Sequence, residues 1–573
     1  RRREGNLNIY ETTVVDNVTN TVHLITVTAS KGHVFDLTAS PEQGSLFGVR
    51  ATGETWEPVY VSVKRCLDCG YQFAEETNVC PRCGSTRIID SFGIVETLRK
   101  IAGEVDRVII MTDPDREGEK IAWDLYLALR PYNSQIYRSA FHEVTPRAFM
   151  EALRNPGQIS QTLVDAQIAR RVDDRWIGFI TSQYLWLKLG KNWLGAGRVQ
   201  TPVLGWVIER YKQYKDNLGY KVRVVLPSGT AVTFYTREKD VVEAASQAQT
   251  VTAVTERVWT EEVNPQPPFT TDELIYEASA RLGYSAPLTM KLAQDLFYSG
   301  LITYHRTDST RISDAGIAVA RQYLESHGMA EYFKPRTWGT GGAHEAIRPT
   351  RPLSAEELER AVLDGSVNVP MQLTGAHYKL YDLIFRRFMA SQMAPATLEK
   401  ALVKLTLGQL SEELEAVISI VKEGFTLINR PRLEGWVQRE TGKEYEVQVT
   451  NVKVFKGSLV QLYRSGDLVM LMRKKNIGRP STYAKVIEAN MRHGYFIESK
   501  RSRYIVPTSL GVKVYDVLMG SSFAPLLSEE ESRRLEEALD RIEAGQESAT
   551  DFIAKVKDEI MQRVKEAGFE IKL

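Results

Sequence analysis

The stretch from Val108 to Glu119 places a group of acidic residues directly after a short apolar strand. Residues 108 to 111 form an apolar, mostly β-branched run with the length of a buried strand. Four carboxylates follow within seven residues, and apolar residues then recur at helical spacing from Ile121 to Leu129. The acids are therefore predicted to lie on a turn at the carboxyl end of a buried strand, where open α/β sheets place ligand sites.

The crowded carboxylates of this turn allow two interpretations. Carboxylates on one turn repel each other, and a divalent cation relieves that repulsion. Mg²⁺ suits such a site because it takes oxygen ligands while keeping waters and phosphate oxygens. Acidic residues also suit the N-terminus of a helix, so a solvated, charged turn is the alternative. The spacing alone does not choose between the two.

Composition indicates an ordinary soluble chain of several domains. Its 573 residues are 43% hydrophobic and 25% charged, and the net charge is +1, so any nucleic-acid site must be a local patch. No apolar run reaches the roughly 18 residues that a membrane span needs, and no signal peptide opens the chain. We therefore expect a cytoplasmic protein without a membrane partner. The chain begins with Arg1 and no Met, so we expect a part upstream of it.

The four cysteines form two Cys-x-x-Cys pairs that are separated by ten residues and are each followed by Gly. They are Cys66, Cys69, Cys80 and Cys83. This spacing is typical of four thiolates around a tetrahedral Zn²⁺ on a small ribbon. Two disulfides are the disfavoured alternative, because no secretion signal is present. A closed four-thiolate site is structural, so its predicted role is to hold a short insertion folded.

Three further stretches carry groups that suit phosphate chemistry. Tyr304 is one of 25 tyrosines, but Arg306 and other polar residues crowd around it. A phenol that attacks phosphorus needs nearby cations, both to lower its pKa of ~10 and to neutralise the transition state. A Gly-rich turn before Arg198 and Gln200 would let the backbone approach a phosphate closely. Arg479 stands ahead of a predicted helix, in a phosphate grip or an ordinary N-cap.

Seven motifs stand in the order seen in type IA DNA topoisomerases, and this resemblance spans nearly the whole chain. They are Asp113-x-Asp115-x-Glu117-Gly, Ala169-Arg-Arg, Gly197-Arg-Val-Gln200, Pro268-Phe-Thr-Thr, Ile302-Thr-Tyr304-x-Arg306-Thr-Asp-Ser309, His344-Glu-Ala-Ile-Arg-Pro-Thr350 and Gly478-Arg-Pro-Ser-Thr-Tyr483. The cysteine insertion and the run Trp338-Gly-x-Gly-Gly-Ala-His344 look most like the topoisomerase part of the reverse gyrases.

The resemblance implies a multidomain α/β plus α fold. It comprises a TOPRIM α/β domain with a four-cysteine zinc ribbon insertion, and a toroidal core of helical domains joined by β-rich arms. The implied boundaries are 1–153 for the TOPRIM domain, without its N-terminal strand and with the ribbon at 60–88; 154–217 and 460–573 for a helical DNA-binding domain; 218–265 and 395–459 for the gate arms; and 266–394 for the helical domain that carries the tyrosine.

The resemblance also implies the chemistry. Tyr304 would attack a DNA strand and form a 5′-phosphotyrosyl link, with Arg306 at the scissile phosphate. The Mg²⁺ ligands would be Asp113, Asp115 and Glu117. The residues that would contact, grip or orient DNA are Arg170, Asp174, Arg198, Gln200, His344, Arg348 and Arg479. The partners implied are a single-stranded DNA segment at the site and a duplex that passes through the ring.

Two departures from the family pattern leave three functions open. The glutamate-bearing strand and the lysine with which the family's TOPRIM domain opens have no equivalent here, so we expect them upstream. No Gly-x4-Gly-Lys-[Ser/Thr] occurs, so ATP would act only through a helicase module on the same or another chain. The chain is then the topoisomerase part of a reverse gyrase, a stand-alone enzyme that relaxes negative supercoils, or a non-catalytic, zinc-containing nucleic-acid scaffold.

Overall fold

The computed structural model describes residues 2–40, 45–52, 55–339 and 344–571. Within these ranges, strands β1 to β22 are Arg2–Glu4, Leu7–Asp16, Thr21–Val27, Phe35–Leu37, Ser45–Leu46, Val49–Thr52, Thr55–Pro58, Tyr60–Ser62, Lys64–Cys66, Gln72–Phe73, Ile88–Asp90, Val108–Thr112, Ile136–Ala140, Leu218–Val225, Ala231–Thr236, Thr250–Val263, Ala396–Leu407, Leu410–Lys422, Glu444–Gln448, Asn451–Ser458, Phe496–Glu498 and Ile505–Pro507. Helices α1 to α16 are Phe92–Gly103, Arg116–Leu129, Pro146–Arg154, Gln161–Leu189, Gln200–Asp216, Lys239–Ser246, Thr271–Glu277, Ala286–Tyr298, Asp314–Ser326, Ala355–Leu363, Gly375–Ser391, Ser465–Lys474, Tyr483–Arg492, Ser509–Met519, Glu529–Glu543 and Ala549–Ala567. A π-helical turn, Ala278–Leu282, follows α7 directly.

The chain divides into two compact units. The first comprises Arg1–Pro202, Lys474–Gly478 and Lys513–Leu573, and the second comprises Val203–Arg473 and Arg479–Val512. None of the helices in the described ranges is long and apolar enough to cross a membrane.

The predicted strand, turn and helix around the acidic residues are confirmed in the first unit. Strand β12 pairs in parallel with β13, from Val108 opposite Ile136 to Thr112 opposite Ala140. Helix α2 follows the turn and buries most of the apolar side chains whose helical spacing predicted it, with Ile121 partly buried. These side chains share a core with α1 and β12. Burial of one large apolar side chain stabilises the fold by about 1.5–3 kcal/mol. The core therefore holds the turn in place at the carboxyl end of β12.

The two cysteine pairs lie on a small sheet of their own in the order β10-β9-β11. Its core is a separate cluster of Cys66, Phe73 and Cys80, with Cys69 and Ile88 packed against it. Each Cys-x-x-Cys pair ends in a glycine with positive φ, +71° at Gly70 and +73° at Gly84. That conformation strains other residues, which explains why glycine follows both pairs.

Two antiparallel sheets in the second unit draw their strands from 218–263 and 396–458, two ranges that are distant in sequence. One sheet has the order β15-β14-β20 and the other β18-β17-β16-β19. Their inward side chains form one core, and a bulge between Thr255 and Arg257 bends the long strand β16. Strand β16 ends at Val263, directly before the run Asn264-Pro-Gln-Pro-Pro268, in which proline cannot continue a strand or a helix.

Helices α7 to α11 of the second unit surround a further core, and Tyr304 is part of it. The segment that carries Tyr304 has neither helix nor strand structure. Neighbouring loops hold its backbone: the Thr303 N–H donates to the Arg348 carbonyl at 2.9 Å, and the Thr350 N–H donates to the Leu301 carbonyl at 3.1 Å.

Candidate active site

The acidic turn between β12 and α2 is built around Gly118. The Asp115 side chain caps α2 by accepting a hydrogen bond from the Gly118 N–H at 2.7 Å. The Thr112 hydroxyl donates to the Gly118 carbonyl at 2.7 Å. A Cβ on Gly118 would lie 2.1 Å from the Asp113 carbonyl oxygen, so the turn can close this tightly only around glycine.

The fourth carboxylate of the motif, Glu119, points into the protein. It forms a buried ion pair with Arg138 at 2.9 Å and accepts the Ser160 N–H at 2.7 Å. Arg138 also donates to the Asp113 carbonyl at 3.0 Å, so this pair fastens the backbone of the turn. The three acids predicted as Mg²⁺ ligands, in contrast, are all partly exposed.

His33 joins the acidic turn from a distant part of the chain. Its Nε2 lies 3.1 Å from Oε1 of Glu117, and the two side chains are 22% and 26% exposed. His33 follows Gly32, and a lone histidine beside a glycine is usually a structural turn residue. No local spacing connects two residues that are 84 positions apart, so the structure adds His33 to the site.

The four cysteine sulfurs lie within 4.8 Å of one another, as the predicted zinc site requires. Cys66 and Cys83 are 3.6 Å apart at Sγ, as are Cys69 and Cys80, and tetrahedral Zn–S bonds of about 2.3 Å need about 3.8 Å. The Cys69 N–H donates to the Cys66 sulfur and lowers the pKa of that thiol to about 6, whereas the hydrogen bond to Cys69 raises the pKa of Cys83. The cysteines therefore fit a structural Zn²⁺.

The carboxylate oxygens of the acidic turn lie farther apart than the sulfurs of the cysteine cluster. Among the residues that the structure describes, no other group of three or more His, Cys, Asp or Glu side chains brings its ligand atoms within 4.8 Å. Mutual repulsion keeps like charges apart. The carboxylates of the turn nevertheless supply the oxygen donors that Mg²⁺ prefers, on a surface where phosphate can complete the coordination.

The predicted DNA-binding residues of the first unit form an interior ion-pair network. Arg198, 2% exposed, lies 3.0 Å from Asp173 and 2.8 Å from Asp174. Arg170, 8% exposed, lies 3.1 Å from Glu536 on α15. The network ties α4, the loop before α5 and α15 together. The Asp174 side chain is half exposed, so it is the predicted DNA contact of this network that reaches the surface. Gln200, at the start of α5, is partly exposed.

Tyr304 is 2% exposed, within the core of the helical cluster of the second unit. Phe297 packs edge-on against its ring at 5.2 Å between centroids, and His305 does so at 5.4 Å. Burial, followed by the charge of Arg306, lowers the pKa of His305 to about 3. The imidazole beside the tyrosine is therefore neutral at physiological pH.

Three of the seven motifs meet around Tyr304. The Thr271 hydroxyl donates to the His305 carbonyl at 2.7 Å and accepts the Thr307 N–H at 2.8 Å. The Ile347 N–H donates to the Phe269 carbonyl at 2.9 Å. Two stretches whose bonded residues, Phe269 and Ile347, are 78 positions apart in sequence thus hold the tyrosine loop from both sides.

Arg348 and His344, two predicted DNA contacts, belong to this packing in different ways. Arg348 is 1% exposed and forms a two-point ion pair with Glu345, at 2.6 and 3.0 Å. Its N–H and carbonyl bond to Thr303, directly before the tyrosine. This geometry favours a positioning role for Arg348. His344 is partly exposed, and residues 340–343 of the run that precedes it lie outside the described residues.

Arg479, the remaining predicted DNA contact, lies in the turn that leads into α13. Its N–H donates to the Thr482 hydroxyl at 2.8 Å, and that hydroxyl donates back to the Arg479 carbonyl at 3.0 Å. The guanidinium is partly exposed ahead of the helix. The Thr482 side chain bonds to Arg479 and does not cap α13. The turn therefore places a cation ahead of the helix, and the phosphate grip stays a prediction.

Comparisons with known proteins agree with this arrangement. The family model for DNA topoisomerase matches residues 158–554, and the model for the Toprim domain matches residues 16–144. The chain belongs to the DNA topoisomerase family. The predicted fold class, with a Toprim domain and a type IA topoisomerase fold, is thereby confirmed, as is the predicted enzyme class, an isomerase.

The relatives include reverse gyrases and a topoisomerase I. Reverse gyrase 2 of Aeropyrum pernix is 52% identical over 556 residues, which cover 97% of this chain and 45% of that protein. Reverse gyrase of Pyrococcus furiosus is 42% identical over 570 residues, 99% of this chain and 46% of that protein. The solved structure of topoisomerase I from Thermotoga maritima is 28% identical with a TM-score of 0.69, and the match covers 95% of this chain and 87% of that one. The chain spans about half the length of the curated relatives it matches.

Proposed function

We propose that this chain is a topoisomerase module that cleaves and reseals one DNA strand through Tyr304 in the cytoplasm. The observation that carries the proposal is the convergence of three family motifs around Tyr304 in one unit. The acidic turn of the other unit supports it. Asp113, Asp115 and Glu117 would hold Mg²⁺, which supplies charge stabilisation and orientation of the phosphate when bound.

The chemistry of the proposed reaction balances without an external energy source. The Tyr304 oxygen attacks a backbone phosphorus and becomes linked to the 5′-phosphate, while the 3′-oxygen leaves and takes up a proton. Resealing reverses both steps, so no phosphodiester energy is lost. Arg306, beside the tyrosine in sequence, would neutralise charge on the phosphate in the transition state. His344 and Arg479 would contact the bound strand, and Arg170, Arg198 and Arg348 would act by holding the surrounding loops.

The first experiment tests for the covalent intermediate. The chain is incubated with Mg²⁺ and a single-stranded oligonucleotide labelled at its 3′ end, then denatured and separated on a gel. The label should stay on the protein, because the 3′ fragment carries the 5′-phosphate. Tyr304→Phe should abolish the adduct, whereas Tyr298→Phe, an exposed tyrosine of the same unit, should not. If a chain extended to the full length of its relatives also gives no adduct, the scaffold interpretation prevails.

For the whole protein, we propose ATP-dependent positive supercoiling together with a helicase part. This proposal rests on the likeness to reverse gyrases that are about twice as long. The match that covers 87% of a topoisomerase I favours a second candidate, relaxation of negative supercoils by a stand-alone enzyme. Two-dimensional gels of plasmid topoisomers separate them. ATP-dependent positive supercoils from the full-length protein support the first, and relaxation that is indifferent to ATP supports the second.

A further inference from the structure

A cavity of about 280 Å³ in the second unit belongs to neither group of site residues described above. It lies where the end of α7 and the π-helical turn meet α5 and the start of α12. Its lining includes Arg210, Ser279, Tyr463, Arg464 and Asp467. π-helical turns often occur at functional sites because they displace the helix backbone locally.

The two walls of this cavity are packed backbone against backbone. A Cβ on Gly466 would lie 2.8 Å from the Ser279 Cβ and 2.9 Å from the Tyr276 Cα, so the first turn of α12 fits against α7 only because residue 466 is glycine. The Ala286 N–H, at the start of α8, donates to the Ser465 hydroxyl at 3.0 Å. A ligand in the cavity would therefore touch both α12 and the helices that lead to the tyrosine loop.

Positive charge dominates the lining. Arg210 donates to the Tyr463 hydroxyl at 2.8 Å and stacks over its ring at 4.4 Å. Arg464 stacks over the Tyr504 ring at 5.3 Å. The single acid, Asp467, accepts the backbone N–H of Arg464 at 2.7 Å and so caps α12. Two guanidinium groups against one carboxylate leave a net positive charge at the amino end of a ten-residue helix, which adds its own positive dipole end.

Three donor groups at the cavity are buried and have no hydrogen-bond partner among the described residues. They are the hydroxyl of Ser279, which is 3% exposed, and the Nε–H groups of Arg210 and Arg464. Buried donors without an acceptor are costly to a folded protein, so such groups indicate a ligand that supplies acceptors. The ligand must be compact and anionic and must offer several oxygens. A phosphate group meets these requirements, and guanidinium groups recognise it well.

We propose that this cavity binds a phosphate group, from a DNA backbone or free in solution, and that the bound phosphate fastens α7 to α12. Binding itself does not depend on the proposed function. Its consequence does: a phosphate held between α7 and α12 would add to the packing that already joins α12 to the helices that lead to Tyr304.

Isothermal titration calorimetry of the 573-residue chain with inorganic phosphate at constant ionic strength tests the proposal. We expect binding, and we expect thermal unfolding to show a rise in Tm when phosphate is present. Arg464→Gln should weaken the affinity about tenfold, as expected for one charge-assisted contact. Ser279→Ala, which removes a hydroxyl without a partner and so should not impair folding, should weaken it several-fold. The matched control is Arg501→Gln, an exposed arginine of the same unit outside the cavity, which should leave the affinity unchanged.

No binding of phosphate, or an equal loss in Arg464→Gln and Arg501→Gln, would overturn the proposal. Competition with a single-stranded oligonucleotide identifies the source of the phosphate. Displacement of phosphate by the oligonucleotide in the wild type but not in Arg464→Gln assigns the cavity to the DNA backbone, and no displacement assigns it to free phosphate. The covalent-adduct assay is read separately, so a failed adduct and a failed cavity are distinguishable.

Discussion

His305 is a buried histidine whose contribution to the stability of the fold depends on pH. Its pKa is lowered from 6.5 to about 3 by burial and then by Arg306, and both ring nitrogens lack partners among the described residues. Between these two pKa values the unfolded chain binds one proton more than the folded chain. The histidine therefore contributes a loss of stability as pH falls from 6.5 towards 3.

His305→Phe should remove this acid-side loss. The difference in unfolding free energy between wild type and variant should be constant above pH 7 and should change by about 1.4 kcal/mol per pH unit below pH 6, in favour of the variant. Urea unfolding at several pH values measures it. A difference that stays flat down to pH 4 would contradict the buried, neutral imidazole.

Substitution of Arg348 tests whether this predicted DNA contact stabilises the fold instead of binding DNA. Removing one partner from its buried ion pair with Glu345 leaves an uncompensated charge, so Arg348→Ala should lower the free energy of unfolding by about 3–5 kcal/mol. Arg306→Ala, two residues beyond the tyrosine and partly exposed, should cost less stability but should abolish adduct formation. A stable Arg348→Ala chain with weakened DNA binding would instead support the role in DNA contact that the resemblance implies for Arg348.

At the scale of the element, the turn between β12 and α2 depends on one glycine. Gly118→Ala would place a methyl group 2.1 Å from a backbone oxygen, and the turn would have to open. Overpacking of this kind costs about 1–3 kcal/mol, and it would also displace the three acids. We expect lower stability together with a higher Mg²⁺ requirement for adduct formation. Gly93→Ala, at a helical glycine with open space, is the matched control and should not lower the stability or change the Mg²⁺ requirement.

These elements also show what the sequence can predict. Two features could be predicted because each arises from residues within about 30 positions. The first is the strand, turn and helix around Asp113, visible in the sequence as periodicity. The second is the cysteine ribbon, visible as the spacing of its cysteines. The partners that position the site are not local. Arg170 and Glu536 are 366 positions apart, and the alternating charges of α15 predict only a solvated face. Glu536 nevertheless is fully buried, because tertiary packing brings α15 against α4.

At the scale of the whole molecule, the ribbon has a core of its own, so its stability should depend on zinc while the rest of its unit does not. The cluster of Cys66, Phe73 and Cys80 is distinct from the core between α1, α2 and β12. So small a cluster is expected to need a bound metal to stay folded. Chelation of zinc should therefore remove the hydrogen-exchange protection of residues 64–90 and leave that of 108–140 unchanged.

Cys69→Ser should reproduce this local loss without a chelator, because three thiolates bind Zn²⁺ less tightly than four. Hydrogen exchange followed by mass spectrometry resolves the two segments in one experiment. Joint loss of protection in both segments would mean that the ribbon supports the acidic turn, since its strand β11 leads directly into α1. Adduct formation by the chelated chain would show that strand cleavage does not need the folded ribbon, and loss of the adduct would show that it does.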